Sequence, residues 1–278
     1  MASFDFIEAS SKGVEFCWQR ASYIFKVAVP VIFVKIFCML SAFSMSVETG
    51  SLAYGLVIFP SYIIEAIFII GLIRYFTYKE PIYVWGKVVT PPDIEDHKEK
   101  PLFFHAPKHR KIPIQAGIAS YCLIQLIILL INGTLLHFVD NTPQSEEARN
   151  IMTTHEFALG LSIFAATFYA ALWAVRLAFL YVPVTLDIPS KLYLQSMKGI
   201  KTSIYMMFTM MICIAPIFIM VAASLNILGI LFGVGSAPYI IGNTIIFSIG
   251  QVIESSIVSI AITYGICNMM FSNKNNEN

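Results

Sequence analysis

The sequence predicts an all-α polytopic membrane protein, a six-helix transmembrane bundle with two short interfacial amphipathic helices. Three observations predict it. Of 278 residues, 57% are hydrophobic and 13% charged, against roughly 45–50% and about 25% in soluble domains. The apolar residues gather in six blocks, at 23–45, 52–76, 114–138, 157–181, 203–230 and 238–270, and each exceeds the ~20 residues that cross ~30 Å of hydrocarbon. The basic residues also segregate. If the six blocks alternate in direction, sixteen of the eighteen Lys and Arg fall on the side that carries both termini. Helix is the expected state of every block, because a lone strand would leave its backbone groups unpaired in lipid.

Residues 1–22 precede the first block. Phe4, Ile7, Val14 and Trp18 share one helical face, and Asp5, Glu8, Lys12, Glu15 and Gln19 share the other. That pattern predicts a helix lying along the membrane surface. The acids at positions 5 and 8 argue against a cleaved leader. Span one carries Pro30 and a lone cation, Lys35; span two carries a lone acid, Glu65. About six residues join them, so they form an antiparallel hairpin. Counting from its tip at ~1.5 Å per residue puts Lys35 and Glu65 within roughly 4–5 Å in depth. An unpaired charge at mid-bilayer costs at least ~2.5–3.5 kcal/mol, so the two are expected to pair.

The 77–113 segment follows, a basic loop with prolines at 91, 92, 101, 107 and 113. These rule out a long helix there. The segment reads either as a solvated loop near anionic headgroups or as a docking segment for another protein. His97, His105 and His109 lie in it, but Pro107 between the last two spoils helical ligand spacing, and no metal is expected. The five cysteines have no C-x-x-C spacing, so neither a disulfide framework nor a metal site is expected. Span three contains Gln125; its Asn132-Gly-Thr triplet lies inside the span and is discounted as a glycosylation site.

Span four has the clearest packing signal. Ala158, Ser162, Ala166, Ala170, Ala174 and Ala178 recur at every fourth position. Small residues let membrane helices approach closely. The expectation is a central, close-packed span, with a homodimer seam as the alternative. Residues 187–202 read as the second interfacial helix, with Tyr193, Met197, Ile200 and Ile204 on one face. Arg176 and Lys198 are expected at the membrane interface. Span six holds Gln251 and Glu254, and a shorter row of small residues, Ser255, Ser259, Thr263 and Cys267.

Two stretches share an order of residues. Ser10, Lys12, Gly13 and Pro30 match Ser196, Lys198, Gly199 and Pro216 at a constant offset, and acids at Glu65 and Glu254 follow in the partner spans. This points to an internal parallel duplication. The stretch 176–208, "RLAFLYVPVTLDIPSKLYLQSMKGIKTSIYMMF", resembles a segment of two bacterial membrane families: YciC-type inner-membrane proteins, and the membrane domain attached to some glycerophosphodiester phosphodiesterases. The residues that carry the resemblance are Arg176, Pro183, Asp187, Ser196, Lys198 and Gly199. It implies a six-span integral protein with interfacial helices and no catalytic residue, because the phosphodiesterase chemistry belongs to a separate domain.

The positive-inside bias places both termini in the cytoplasm, and the resemblance implies a bacterial inner membrane. No nucleophile elbow, phosphate loop or paired acids at a water interface occur, so an enzyme is not expected and no residue is assigned a catalytic role. No cofactor is expected. The expected partners are the lipid bilayer and a membrane protein or a second copy, not nucleic acid. The leading functional expectation is a non-enzymatic scaffold, accessory subunit or envelope-homeostasis factor. The alternative is a small transporter or channel whose path is lined by Glu65 and Glu254, with Lys35, Gln125 and Gln251 nearby.

Overall fold

The structure is a computed structural model that describes residues 4–47, 51–84, 87–89, 111–141, 154–197 and 199–271. The protein is an all-α bundle in which six helices are long and apolar enough to cross a membrane. In chain order the elements are α1 (Phe6–Gln19), α2 (Ala21–Ser44), α3 (Leu52–Tyr78), β1 (Ile82–Val84), β2 (Lys87–Val89), α4 (Lys111–Asn141), α5 (Thr154–Ala178), α6 (Tyr181–Thr185), α7 (Ser190–Ser196), α8 (Ile200–Phe232) and α9 (Ala237–Phe271). The spans are α2, α3, α4, α5 continuing into α6, α8 and α9. Large side chains such as Phe33, Phe37, Phe218 and Ile230 point outward, as expected where the surrounding solvent is hydrocarbon.

Two antiparallel hairpins form the centre. α2 pairs with α3, α8 pairs with α9, and α9 packs on both α2 and α3. α4 lies on the far side of α3, with the short α6 wedged beside it. α3 and α9 are the most deeply buried spans, and their side chains Ile69, Ile70, Ile73, Ile260 and Ile262 form the heart of the core. Pro30 and Pro216 both lie inside helices, α2 and α8. The repeat therefore falls on corresponding hairpins. Its glycines do not correspond in setting, since Gly13 is inside α1 while Gly199 caps the start of α8.

Span four is not central. Ser162, Ala166, Ala170 and Ala174 are exposed and Ala178 is half-buried, while the side chain of Ala158 lies outside those described. The helix turns a different face inward: Leu172, Val175, Arg176 and Phe179 are its buried or partly buried positions, and its main neighbour is α8. Larger apolar groups gain more from burial than alanines do, and the hydrogen bonds of Arg176 fix the helix's rotation. The row of small residues is left facing outward.

At α1 only Phe4 departs from the expected outward apolar face. Asp5 caps the helix, its Oδ1 accepting from the backbone of Ile7 at 2.9 Å and of Glu8 at 3.1 Å. Phe4 is buried, but Ile7, Val14 and Trp18 are exposed. The face against the bundle is Ala9, Ser10, Gly13 and Phe16. A Cβ on Gly13 would stand 2.8 Å from Ala261 Cβ and 2.9 Å from the Ile257 carbonyl oxygen, so glycine is what lets α1 lie directly on α9. Gly13→Val is expected to lift α1 off α9. Overpacking of this kind costs about 1–3 kcal/mol. The readouts are a lower unfolding temperature in detergent and faster protease cleavage within residues 1–22; an unchanged cleavage rate would refute the close approach.

The second expected interfacial helix is short. α7 covers only Ser190–Ser196. Tyr193 and Met197 are buried against the protein while Ile200 is exposed, so these residues do not form one outward apolar face. The prolines and histidines of the 77–113 loop lie outside the described residues, apart from Pro81 at its start and Pro113 at its end. The described start of that loop is the β1–β2 hairpin, with Ile82 opposite Val89. Tyr23 of α2 pins it, its hydroxyl donating to the Val89 carbonyl at 2.9 Å and accepting from the Ile82 amide at 3.3 Å.

Candidate functional site

Charged groups are rare inside the bundle, so those present define the candidate site. Glu65 is the central residue of α3 and Glu254 the central residue of α9. Lys35 approaches from α2. Its Nζ lies 2.9 Å from Glu65 Oε2, and the two residues are 3% and 2% exposed. The other carboxylate oxygen is also occupied, because Ser255 donates to Glu65 Oε1 at 2.8 Å. The hairpin geometry brings the pair together and α9 completes it. A charge pair in low dielectric is favourable only when its remaining hydrogen-bonding capacity is met, and here both acid oxygens have donors.

Around this pair lies a polar shell. Tyr121 of α4 is buried, with Glu65, Ser255 and Gln125 about its hydroxyl. The Tyr181 and Ser259 hydroxyls are 2.8 Å apart. Glu254 is half-buried beside the pair and within the fields of Lys35 and Glu65. Gln251 is half-buried one turn earlier on α9 and makes no hydrogen bond to the pair. Of the five polar positions picked out in the sequence, four therefore converge on one region and Gln251 stands at its edge. Ser255 and Ser259 were legible only as small packing residues. Tyr121 and Tyr181 carried no signal, since a tyrosine in a span is ordinarily an interface anchor.

Two arginine clusters sit nearer the end of the bundle that holds both termini. Arg74 binds Glu80 through two parallel bonds, Nε to Oε2 at 2.7 Å and Nη2 to Oε1 at 2.9 Å. Its Nη1 donates to the Thr185 carbonyl at 3.0 Å, and its guanidinium lies 5.1 Å from the centre of the Tyr78 ring. Tyr78 in turn donates to the Leu186 carbonyl at 3.1 Å. Together these tie α3 to α6. Glu80 had no role in the sequence reading.

Arg176, expected at an interface, is instead buried and committed inside the protein. It donates to Ser203 Oγ and to the Gly199 carbonyl, and its guanidinium stacks 4.8 Å from the Trp173 ring centre. Tyr193 donates to the Arg176 carbonyl at 3.0 Å, and burial pushes that phenol above its ordinary pKa. Lys198 lies outside the described residues, as do His97, His105 and His109. Among the described residues no group of His, Cys, Asp and Glu has the arrangement of a metal site.

Chemically, the central pair is sealed. Its charges are matched, hydrogen-bonded and shielded by the surrounding helices, which suits cohesion between helices. Glu254 is the one acid of the cluster left half-open. Comparison with family models, with curated proteins and with solved structures found no match.

Proposed function

We propose that the protein is a non-enzymatic integral membrane scaffold, accessory subunit or envelope-homeostasis factor that binds a neighbouring membrane protein, or a second copy of itself, through α5. The observation that carries this reading is the outward row of Ala166, Ala170 and Ala174 on α5, a helix whose main neighbour in the protein is α8. A helix held by one face, with its small-residue face open, is suited to receive another helix closely. The one-sided distribution of Lys and Arg supports termini in the cytoplasm. The resemblance of residues 176–208 supports a bacterial inner membrane. On this reading α1 lies along the cytoplasmic surface of the bilayer, with Ile7, Val14 and Trp18 toward lipid.

A second reading is favoured by Glu254. A half-buried acid at the middle of a span, beside a buried ion pair, is the setting of many proton and ion paths. The two readings separate cleanly. Because the stripe is exposed, Ala166→Leu, Ala170→Leu and Ala174→Leu together should leave the monomer's unfolding temperature unchanged. They should abolish cross-linking to the partner or second copy in native membranes. Retention of the cross-link would sink the scaffold reading. Glu254→Gln in proteoliposomes should leave proton and cation flux at background; loss of a measurable flux on this substitution would establish the transporter instead.

A further inference from the structure

A groove of about 490 Å³ opens on the side of the bundle between α1, α2 and α9. It follows α2 from Ala21 to Ile32, with Val14 and Trp18 forming its lip and Ile249 and Ile253 its opposite wall. Eleven residues of helix are about 16 Å long, close to half of the ~30 Å hydrocarbon thickness. The groove therefore runs from the bundle's terminal end to about the middle of the bilayer, the depth of one leaflet. Its walls are apolar apart from the hydroxyls of Ser22 and Ser256, and Ser256 already donates to the Val252 carbonyl at 2.6 Å.

Two features say what fits. The sequence's final stretch, "SNKNNEN" at 272–278, has no apolar side chain with which to fill it. One cation stands near the rim: exposed Lys26 lies one helical turn from Ser22, which lines the groove, and lysine stems can lie along hydrocarbon while the ammonium reaches the headgroup level.

We propose that this groove binds one acyl chain of an anionic phospholipid from the leaflet at the terminal end, with Lys26 at its phosphate. This does not rest on the scaffold reading or on Glu254. Trp18, exposed at the lip, is a natural reporter.

The test uses the full chain carrying Trp85→Phe and Trp173→Phe, so that Trp18 is the single indole. It is reconstituted in phosphatidylcholine bilayers with a fixed small fraction of chain-brominated lipid. Brominated phosphatidylglycerol should quench Trp18 at least twofold more than brominated phosphatidylcholine. Lys26→Gln should remove the difference. Ser22→Phe with Ile253→Phe, both at exposed positions, should fill the groove and bring quenching by either lipid down to the level of an exposed surface indole. Equal quenching by the two lipids in the unaltered groove would mean ordinary boundary lipid and overturn the proposal. So would quenching that the filled groove leaves unchanged, or protection of Trp18 from both lipids, which would mean that a protein segment occupies the groove.

Discussion

Glu65→Ala should destabilise the bundle by about 3–5 kcal/mol, the range for removing one partner of a buried ion pair. The substitution leaves Lys35 at 3% exposure with no acid, in a setting where a lone charge is costly. It also strips the Ser255 hydroxyl of its acceptor. Lys35→Ala should cost a similar amount, because it leaves the buried Glu65 without its cation. The paired replacement Lys35→Met with Glu65→Leu removes both charges while keeping volume, and should recover most of the loss, since burying a pair is itself expensive. Unfolding temperature and denaturant midpoint in a mild detergent provide the measurement. A double variant as unstable as the single ones would show that the pair contributes more than mutual neutralisation.

The second large effect is expected near the end of the same helix. Arg74→Ala removes two parallel bonds to Glu80, the bond to the Thr185 carbonyl and the stack on Tyr78. Arg74 is 2% and Glu80 7% exposed, so the orphaned carboxylate has little water to turn to, and a loss of about 3–5 kcal/mol follows. Arg74→Lys should fall between, because an ammonium keeps the charge but cannot make the parallel pair. The signature is local as well as global: hydrogen exchange should accelerate at 181–188, where α6 is tied to α3. Unaltered protection there would refute the role assigned to the arginine.

Comparison of these sites shows what could be read from the chain. Six long apolar blocks are a signal carried within each segment, so the spans were legible. Lys35 and Glu65 were legible as a pair because a short hairpin converts sequence distance into depth. Arg74 and Glu80 were not, although only six residues separate them. Lys79 ends α3 in the left-handed region at φ 57°, and that turn folds Glu80 back beside the helix it has just left; no helical spacing announces it. Span four failed for another reason. A row of small residues has the same form whether it serves its own chain or another, and the choice was made by Ser203 and the carbonyl of Gly199, distant groups that hold Arg176. The inward face of α1 was not legible because glycine counts as neither apolar nor polar in a face pattern, yet Gly13 decides which side can approach α9.

The seat of α1 sets the order in which the molecule can be completed. Helix α1 rests on α9: Gly13 against Ala261, the Phe4 ring over Gly265, and Glu8 accepting from the Tyr264 hydroxyl. Until the sixth crossing is made, α1 lacks its largest seat and holds to α8, through Phe6 against Tyr205 and Phe208, and to α3, through Phe16 against Tyr75 and Phe76. A variant lacking α9 would leave α1 without its main seat, so the two helices act together as a clasp that the sixth crossing closes.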